Sequence, residues 1–493
     1  MENHFFKQNY IYELNTRLFC IQNHILLDEF PETFFNSKEY MAANFIWLMG
    51  IWSPSIVSRK IALEHKGLRN EFRKALPDLV DEDIIGSPYS IYEYVHSPRL
   101  VSSPDTLRKW KERLNRDGKK LILDFVPNHM SVDSILIDQF PDMFLKKESG
   151  EVCHNSFKHS NGNVYYLGRD PYFDGWTDTV QWDFSNPKVL DLHYQILSSM
   201  AELCNGVRCD MAMLPCEDIF QLTHGKEGKP YWKPLISKIK EDNPDFIFIG
   251  EVYWNREYSL QQLGFDYTYD KVLYDRLAER KEKEIKLHLN ADLSFQEHSL
   301  RFIENHDEER AMHTFGNNSI FHFSLLSFLP GAILYYQGQE LGNELKLPVQ
   351  LGRTYTENYK KEIVEFYERA FNQIQFRKYL YYQRTTTVFH SYEAISYDPI
   401  ISYTLLHRYE LSAYQTRFFE LEILVYNPEN REITGWLQLP KEVKSLINEF
   451  YYSEFTLRDI TTNVDFTKNK TEALEAGIYC KLEPNQAHWF VLV

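Results

Sequence analysis

The chain has 493 residues, 43% of them hydrophobic, and carries a formal net charge of −16. That length exceeds what one ordinary core holds and fits a large α/β domain with a smaller one attached. The acidic balance argues against nucleic acid or an anionic membrane as the main partner, because both require clustered Lys and Arg.

The first residues, MENHFFKQNYIYELNTRL, lack the basic start, apolar centre and small-residue cleavage site of a secretory leader. No apolar run reaches the roughly eighteen residues of a membrane span. The nearest, FHFSLLSFLPGAILYY (321–336), is broken by Pro330 and Gly331 and reads as a helix followed by a buried strand. Cys20, Cys153, Cys204, Cys209, Cys216 and Cys480 show no metal-ligand spacing. They read as reduced, mostly buried thiols, which gives a cytoplasmic expectation.

In chain order, FIWLM (45–49), KLILDFV (120–126), GVRCD (206–210), DFIFIGEV (245–252) and AILYY (332–336) predict buried strands. Helical stretches lie between them. One opens at Pro104 and closes before Gly118, and another starts at Pro187. Alternating strands and helices point to parallel strands with crossover helices, and at this length to a (β/α)8 TIM barrel. Residues 130–182, rich in Asp, Asn, Gly and aromatics, are too long for a simple loop and read as a lobe inserted after the third strand. After about residue 385 the pattern becomes short alternating strands (FELEILVYN, TGWLQLP, FTLRDI, HWFVLV). The expected organisation is therefore a barrel over 1–385 containing the lobe, and an antiparallel β-sandwich over 386–493.

Carboxylates stand at the C-terminal ends of several predicted strands: Asp124, Asp210, Glu251 and, after LRFIENH, Asp307. In a parallel barrel these ends share one rim, where active sites form. Gathering like charges there is unfavourable unless they are used. Arg208 and Asp210 are two apart on a strand and so share a face, with Cys209 on the other. By itself that spacing fits a structural ion pair as well as a carboxylate held ionised for nucleophilic work.

DFVPNH (124–129), GVRCD (206–210), GEVYW (250–254) and FIENHD (302–307) resemble, in order and spacing, the four signature regions of the α-amylase family, glycoside hydrolase family 13. YELNTR (12–17), GSPYSIYEY (86–94), WDFSNP (182–187) and LPGAILYYQGQELG (329–342) extend the resemblance almost end to end. The resemblance implies a retaining α-glycoside hydrolase acting on α-linked glucosides, malto-oligosaccharides or glucans. In it Asp210 is the nucleophile, Glu251 the general acid and base, and Asp307 the third carboxylate. Arg208 would hold Asp210. His129, His306 and Tyr89 would contact the sugar, and Asp124 would order the cluster from behind. Such chemistry needs two carboxyls about 5–5.5 Å apart, one ionised and one protonated. Burial should raise Glu251, while Arg208 should lower Asp210.

One departure stands out, and one metal site is left open. Many starch-degrading members carry Lys-His shortly after the nucleophile, where this chain has Met213 and Leu214. The family's structural calcium often uses the asparagine of the first region, here Asn128, with Asp170, Asp174 and Asp183 as further candidate ligands. No cofactor is expected for the chemistry itself. The alternatives are a transglycosidase or phosphorylase passing the sugar to another sugar or to phosphate, and, more remotely, a non-catalytic carbohydrate-binding homologue.

Overall fold

The computed structural model describes residues 4–6, 8–377, 382–391, 399–411 and 416–493. Eight parallel strands close into a barrel: Asn9–Asn15, Phe45–Met49, Lys120–Phe125, Gly206–Cys209, Ile247–Gly250, Tyr267–Tyr269, Ser299–Arg301 and Ala332–Tyr336. Closure is made by the eighth strand on the first, with Ala332 opposite Asn9 and Tyr336 opposite Glu13. Phe45–Met49 and Ala332–Tyr336 are buried along their whole length. That explains their uninterrupted apolar sequence, since helices cover one face and the barrel interior the other. The sixth and seventh strands have three residues each, too few for a periodic signal. The helix opening at Pro104 runs to Arg116, and the one after Pro187 spans Lys188–Leu203.

The inserted lobe leaves after the third barrel strand. Its neck is a two-stranded antiparallel pair, His129–Ser131 against Thr179–Gln181, and a second pair joins Ser156–Lys158 to Val164–Tyr166. Phe144 stacks on Trp182 at 4.0 Å between centroids, tying the lobe to the start of the chain's return to the barrel.

The last barrel helix, Lys361–Arg377, leads into two packed antiparallel sheets. One has seven strands. Its edge is His4–Phe6, which pairs with Tyr382–Thr386. The chain's first strand thus lies in the C-terminal sheet, a pairing that no local pattern announces. The other sheet holds Val388–Ser391, Ile433–Gln438 and Ile478–Leu482. Ile423, Val425, Leu437, Ile478 and Phe490 fill the space between. Arg377 anchors the domain to the barrel through a two-pronged contact with buried Glu422, 2.7 Å on each side, and Trp489 Nε1 donates to the same carboxylate. Among the described residues, no helix is long and apolar enough to cross a membrane.

Candidate active site

The fourth barrel strand lies between the third and fifth, with Arg208 opposite Asp124 on one side and Ile249 on the other. Alternation along the strand turns Arg208 into the barrel and Cys209 toward the helices, both fully buried. Asp210 is the first residue beyond the strand, and its N–H still donates to Phe125 O at 2.9 Å. Met211 follows with φ 43°. A left-handed conformation costs a residue with a Cβ on the order of 1 kcal/mol. Here it turns the Met211 N–H onto Glu251 Oε2 at 2.7 Å.

One guanidinium joins the acids. Arg208 Nη1 donates to Asp210 Oδ1 at 2.8 Å. Its Nη2 lies 2.8 Å from Glu251 Oε2, off the axis of a directed hydrogen bond, and 3.8 Å from Asp307 Oδ2. Asp210 and Glu251 are buried, whereas the Asp307 side chain is 39% exposed and forms the open lip. Three carboxylates that lie far apart in sequence therefore meet around one cation.

Their titration differs. Burial pushes Glu251 up to about 7; Arg208 opposes this, and the neighbouring charges of Asp210 and Asp307 add to it. Burial also raises Asp210 above the ordinary aspartate value, against the pull of Arg208. Arg208 does lower this carboxyl, as the sequence suggested, but desolvation outweighs the single cation and the net shift is upward. Burial works against Asp307 too, but the charge and hydrogen bond of His306 win and hold it down at about 2. His306 is carried up to about 10, because Asp307 and Glu13 overcome the burial that would otherwise keep it neutral.

The acids open into a cleft of about 550 Å³, lined on the catalytic side by Tyr89, His129, Asp210, Glu251, Tyr253 and Asp307. Trp176 of the lobe lines it as well and packs on His129, 5.1 Å between ring centroids. His129 is pulled down to about 4 by burial and is neutral at physiological pH. Two other residues singled out by the sequence, His306 and Arg208, stand behind the wall. His306 Nδ1 engages Glu13, and its Nε2 lies 2.9 Å from Asp307 and 2.7 Å from the Tyr89 hydroxyl, so both ring nitrogens are used by the protein. Arg208 is likewise enclosed by the acids and the rings of Trp47, Tyr89 and Tyr269. Asp124 sits below, accepting from Trp47 Nε1 at 3.0 Å and Gly50 N at 2.6 Å, as expected of a supporting acid. Of the other lobe aromatics, Tyr165 is core. Tyr172 meets Trp254 edge to face at 5.0 Å.

No family model matches the chain. It is 25% identical over 252 residues to α-amylase 3 of Dictyoglomus thermophilum, a match covering 46% of this chain and 48% of that protein. The chain thus spans about half the length of the curated relatives it matches. Among solved structures, a maltogenic α-amylase from Thermotoga neapolitana superposes with a TM-score of 0.62 at 19% identity, covering 98% of both chains. An α-amylase from Geobacillus thermoleovorans complexed with acarbose gives 0.61 at 16%, again over 98% of both. The chain is thus similar in part of its sequence to α-amylases and shares the fold of solved ones.

The calcium ligands suggested by sequence each have a protein partner in this structure. Asn128 Oδ1, Asn128 O and Trp182 O converge on the Gln181 side-chain amide, at 3.0, 3.1 and 3.1 Å from Nε2. These oxygens already accept hydrogen bonds from a neutral NH2. Asp183 is paired with Lys226 at 2.7 Å and with Ser185. Asp170 receives the N–H groups of Tyr172 and Phe173, and Asp174 contacts His154 at 2.9 Å. Among the described residues, no three His, Cys, Asp or Glu side chains group as a metal site.

Sequence reasoning missed Glu13, Trp47, Tyr253, Tyr269 and Gln181. Glu13 carried a readable signal, an acid inside an apolar strand, and it is fully buried against His306. The others are ordinary residues whose roles depend on distant partners. Met213 and Leu214, which stand where relatives carry a polar pair, are buried.

Proposed function

We propose that the protein is a retaining α-glycoside hydrolase acting on α-linked glucosides, malto-oligosaccharides or glucans through a covalent glycosyl-enzyme intermediate. The observation that carries the reading is the single guanidinium spanning Asp210 and Glu251 at the floor of a sugar-sized cleft. Two carboxyls on one planar fork are neighbours, the arrangement in which the second attacks carbon directly rather than through a water. The directed hydrogen bond from Arg208 goes to Asp210 and supports its reading as the nucleophile. Glu251, at about 7, carries the proton.

Asp210 then attacks the anomeric carbon while Glu251 protonates the departing glycosidic oxygen. Glu251, now ionised, takes a proton from water, whose oxygen attacks the same carbon and releases Asp210. Asp307, ionised and open to the cleft, grips sugar hydroxyls and favours the oxocarbenium-like transition state. His129 and Tyr89 border the bound ring, and Arg208 and His306 act on the acids from behind.

Among the described residues, no lysine or arginine lines the cleft, which gives a phosphate acceptor no counter-charge there. The meeting of three acids argues against a non-catalytic carbohydrate-binding role. We also read the lobe as held without calcium, and the protein as cytoplasmic, in keeping with six free thiols, four of them buried. The test is incubation with a panel of α-linked di- and oligosaccharides, with products followed by NMR. Release of the α-anomer first supports the reading. First release of the β-anomer, or no cleavage of any α-glucoside, overturns it.

A further inference from the structure

Glu251 has one oxygen fully engaged and one facing the cleft. Oε2 receives the Met211 N–H and lies against Arg208. The transferable proton is therefore confined to Oε1, and the only described side chain hydrogen-bonded to Oε1 is Tyr253, whose hydroxyl donates at 2.8 Å. Tyr253 lines the cleft beside Glu251.

The backbone commits to this placement. Trp254 and Asn255, directly after Tyr253, both adopt left-handed φ, 61° and 57°. Two consecutive non-glycine residues in that region store strain that surrounding structure must hold. Arg256 fastens the turn by gripping Asp218 at 2.6 and 2.7 Å. Burial and the adjacent acids keep the phenol far above its ordinary range, so it remains a donor throughout.

We infer that Tyr253 is a positioning residue for acid catalysis, its hydroxyl stabilising the carboxylate that forms on Glu251 Oε1 as the proton leaves for the glycosidic oxygen. This rests on the reading of Glu251 as the acid. As the O–H bond of Glu251 breaks, negative charge collects on Oε1 and the Tyr253 hydrogen bond shortens onto it. When Glu251 later takes a proton from water, the same bond relaxes. The groups facing Glu251 are Arg208, Asp210, Asp307, the Met211 N–H and Tyr253.

The test is Tyr253→Phe, which removes only the hydroxyl. A hydrogen bond to a charged group corresponds to a loss of about tenfold to hundredfold in kcat/KM on maltosides with unactivated leaving groups. Aryl glycosides whose leaving group needs no proton should keep their first-step rate. The basic limb of the pH profile should move to higher pH, because the ionised form of Glu251 has lost a donor. A role in packing alone would slow all substrates alike and leave the limb in place, and that result overturns the inference. In a Glu251→Gln background, Tyr253→Phe should add no further loss; an additive loss also overturns it. If wild type cleaves no α-glucoside, the functional reading has failed. If wild type is active and Tyr253→Phe matches it, this inference alone has failed.

Discussion

Replacing Arg208 by Met tests how the charge cluster is held. The guanidinium is fully buried and lies 2.8 Å from both Asp210 and Glu251. At an effective dielectric near 20, each contact is worth about 6 kcal/mol of attraction. Most of that offsets the cost of taking the charges out of water. The net penalty for removing one partner of such a buried cluster is about 3–5 kcal/mol. Without Arg208 both carboxyls rise further, since it lowers each of them now. A carboxyl whose folded value exceeds its unfolded one favours the folded state at low pH and loses that contribution as pH rises through the folded value. The deficit of Arg208→Met should therefore be full at pH 8 and shrink as pH falls toward 4. The assay is urea denaturation of wild type and variant between pH 5 and 8, followed by tryptophan fluorescence. Activity at pH 7 should fall, because Asp210 loses the cation that favours its ionised form. A deficit that stays constant with pH, or grows toward pH 5, would refute the electrostatic account.

Asp210→Asn should lower turnover by about 10⁴-fold while leaving substrate binding measurable by calorimetry; a loss under tenfold removes it as nucleophile. Glu251→Gln should spare the first step for good leaving groups and abolish cleavage of maltosides, as stopped-flow release of the aryl alcohol would show. The wild-type kcat/KM profile should have its basic limb near pH 7, where Glu251 loses its proton, and activity should fall above it. Chelator should leave the thermal midpoint unchanged. Gln181→Ala should destabilise the fold by about 1–3 kcal/mol, since three buried oxygens lose their donor. A midpoint that drops in chelator would show a cation in use.

Much of the architecture was readable from local pattern. The strands Phe45–Met49, Lys120–Phe125 and Ala332–Tyr336 are continuous apolar runs because both their faces are covered, and the acids fall at strand ends because the barrel rim is where charge reaches water. The three-residue strands Tyr267–Tyr269 and Ser299–Arg301 were not readable, since a period cannot show itself in three positions. The N-terminal strand was missed for a different reason: its partner lies some 380 residues away along the chain.

The sequence by itself determined the barrel, the appended sheets and the placing of acids at strand ends, because these depend on burial pattern and side-chain chemistry close along the chain. Only the tertiary structure decided that Arg208 bridges two acids rather than one, that Arg208 and His306 stand behind the cleft, that the Gln181 amide meets Asn128, and that the Tyr253 hydroxyl rests on Glu251 Oε1. Each of these is a contact of about 3 Å between residues whose spacing in sequence carries no period, and desolvation, which sets their titration, is a property of the packed whole.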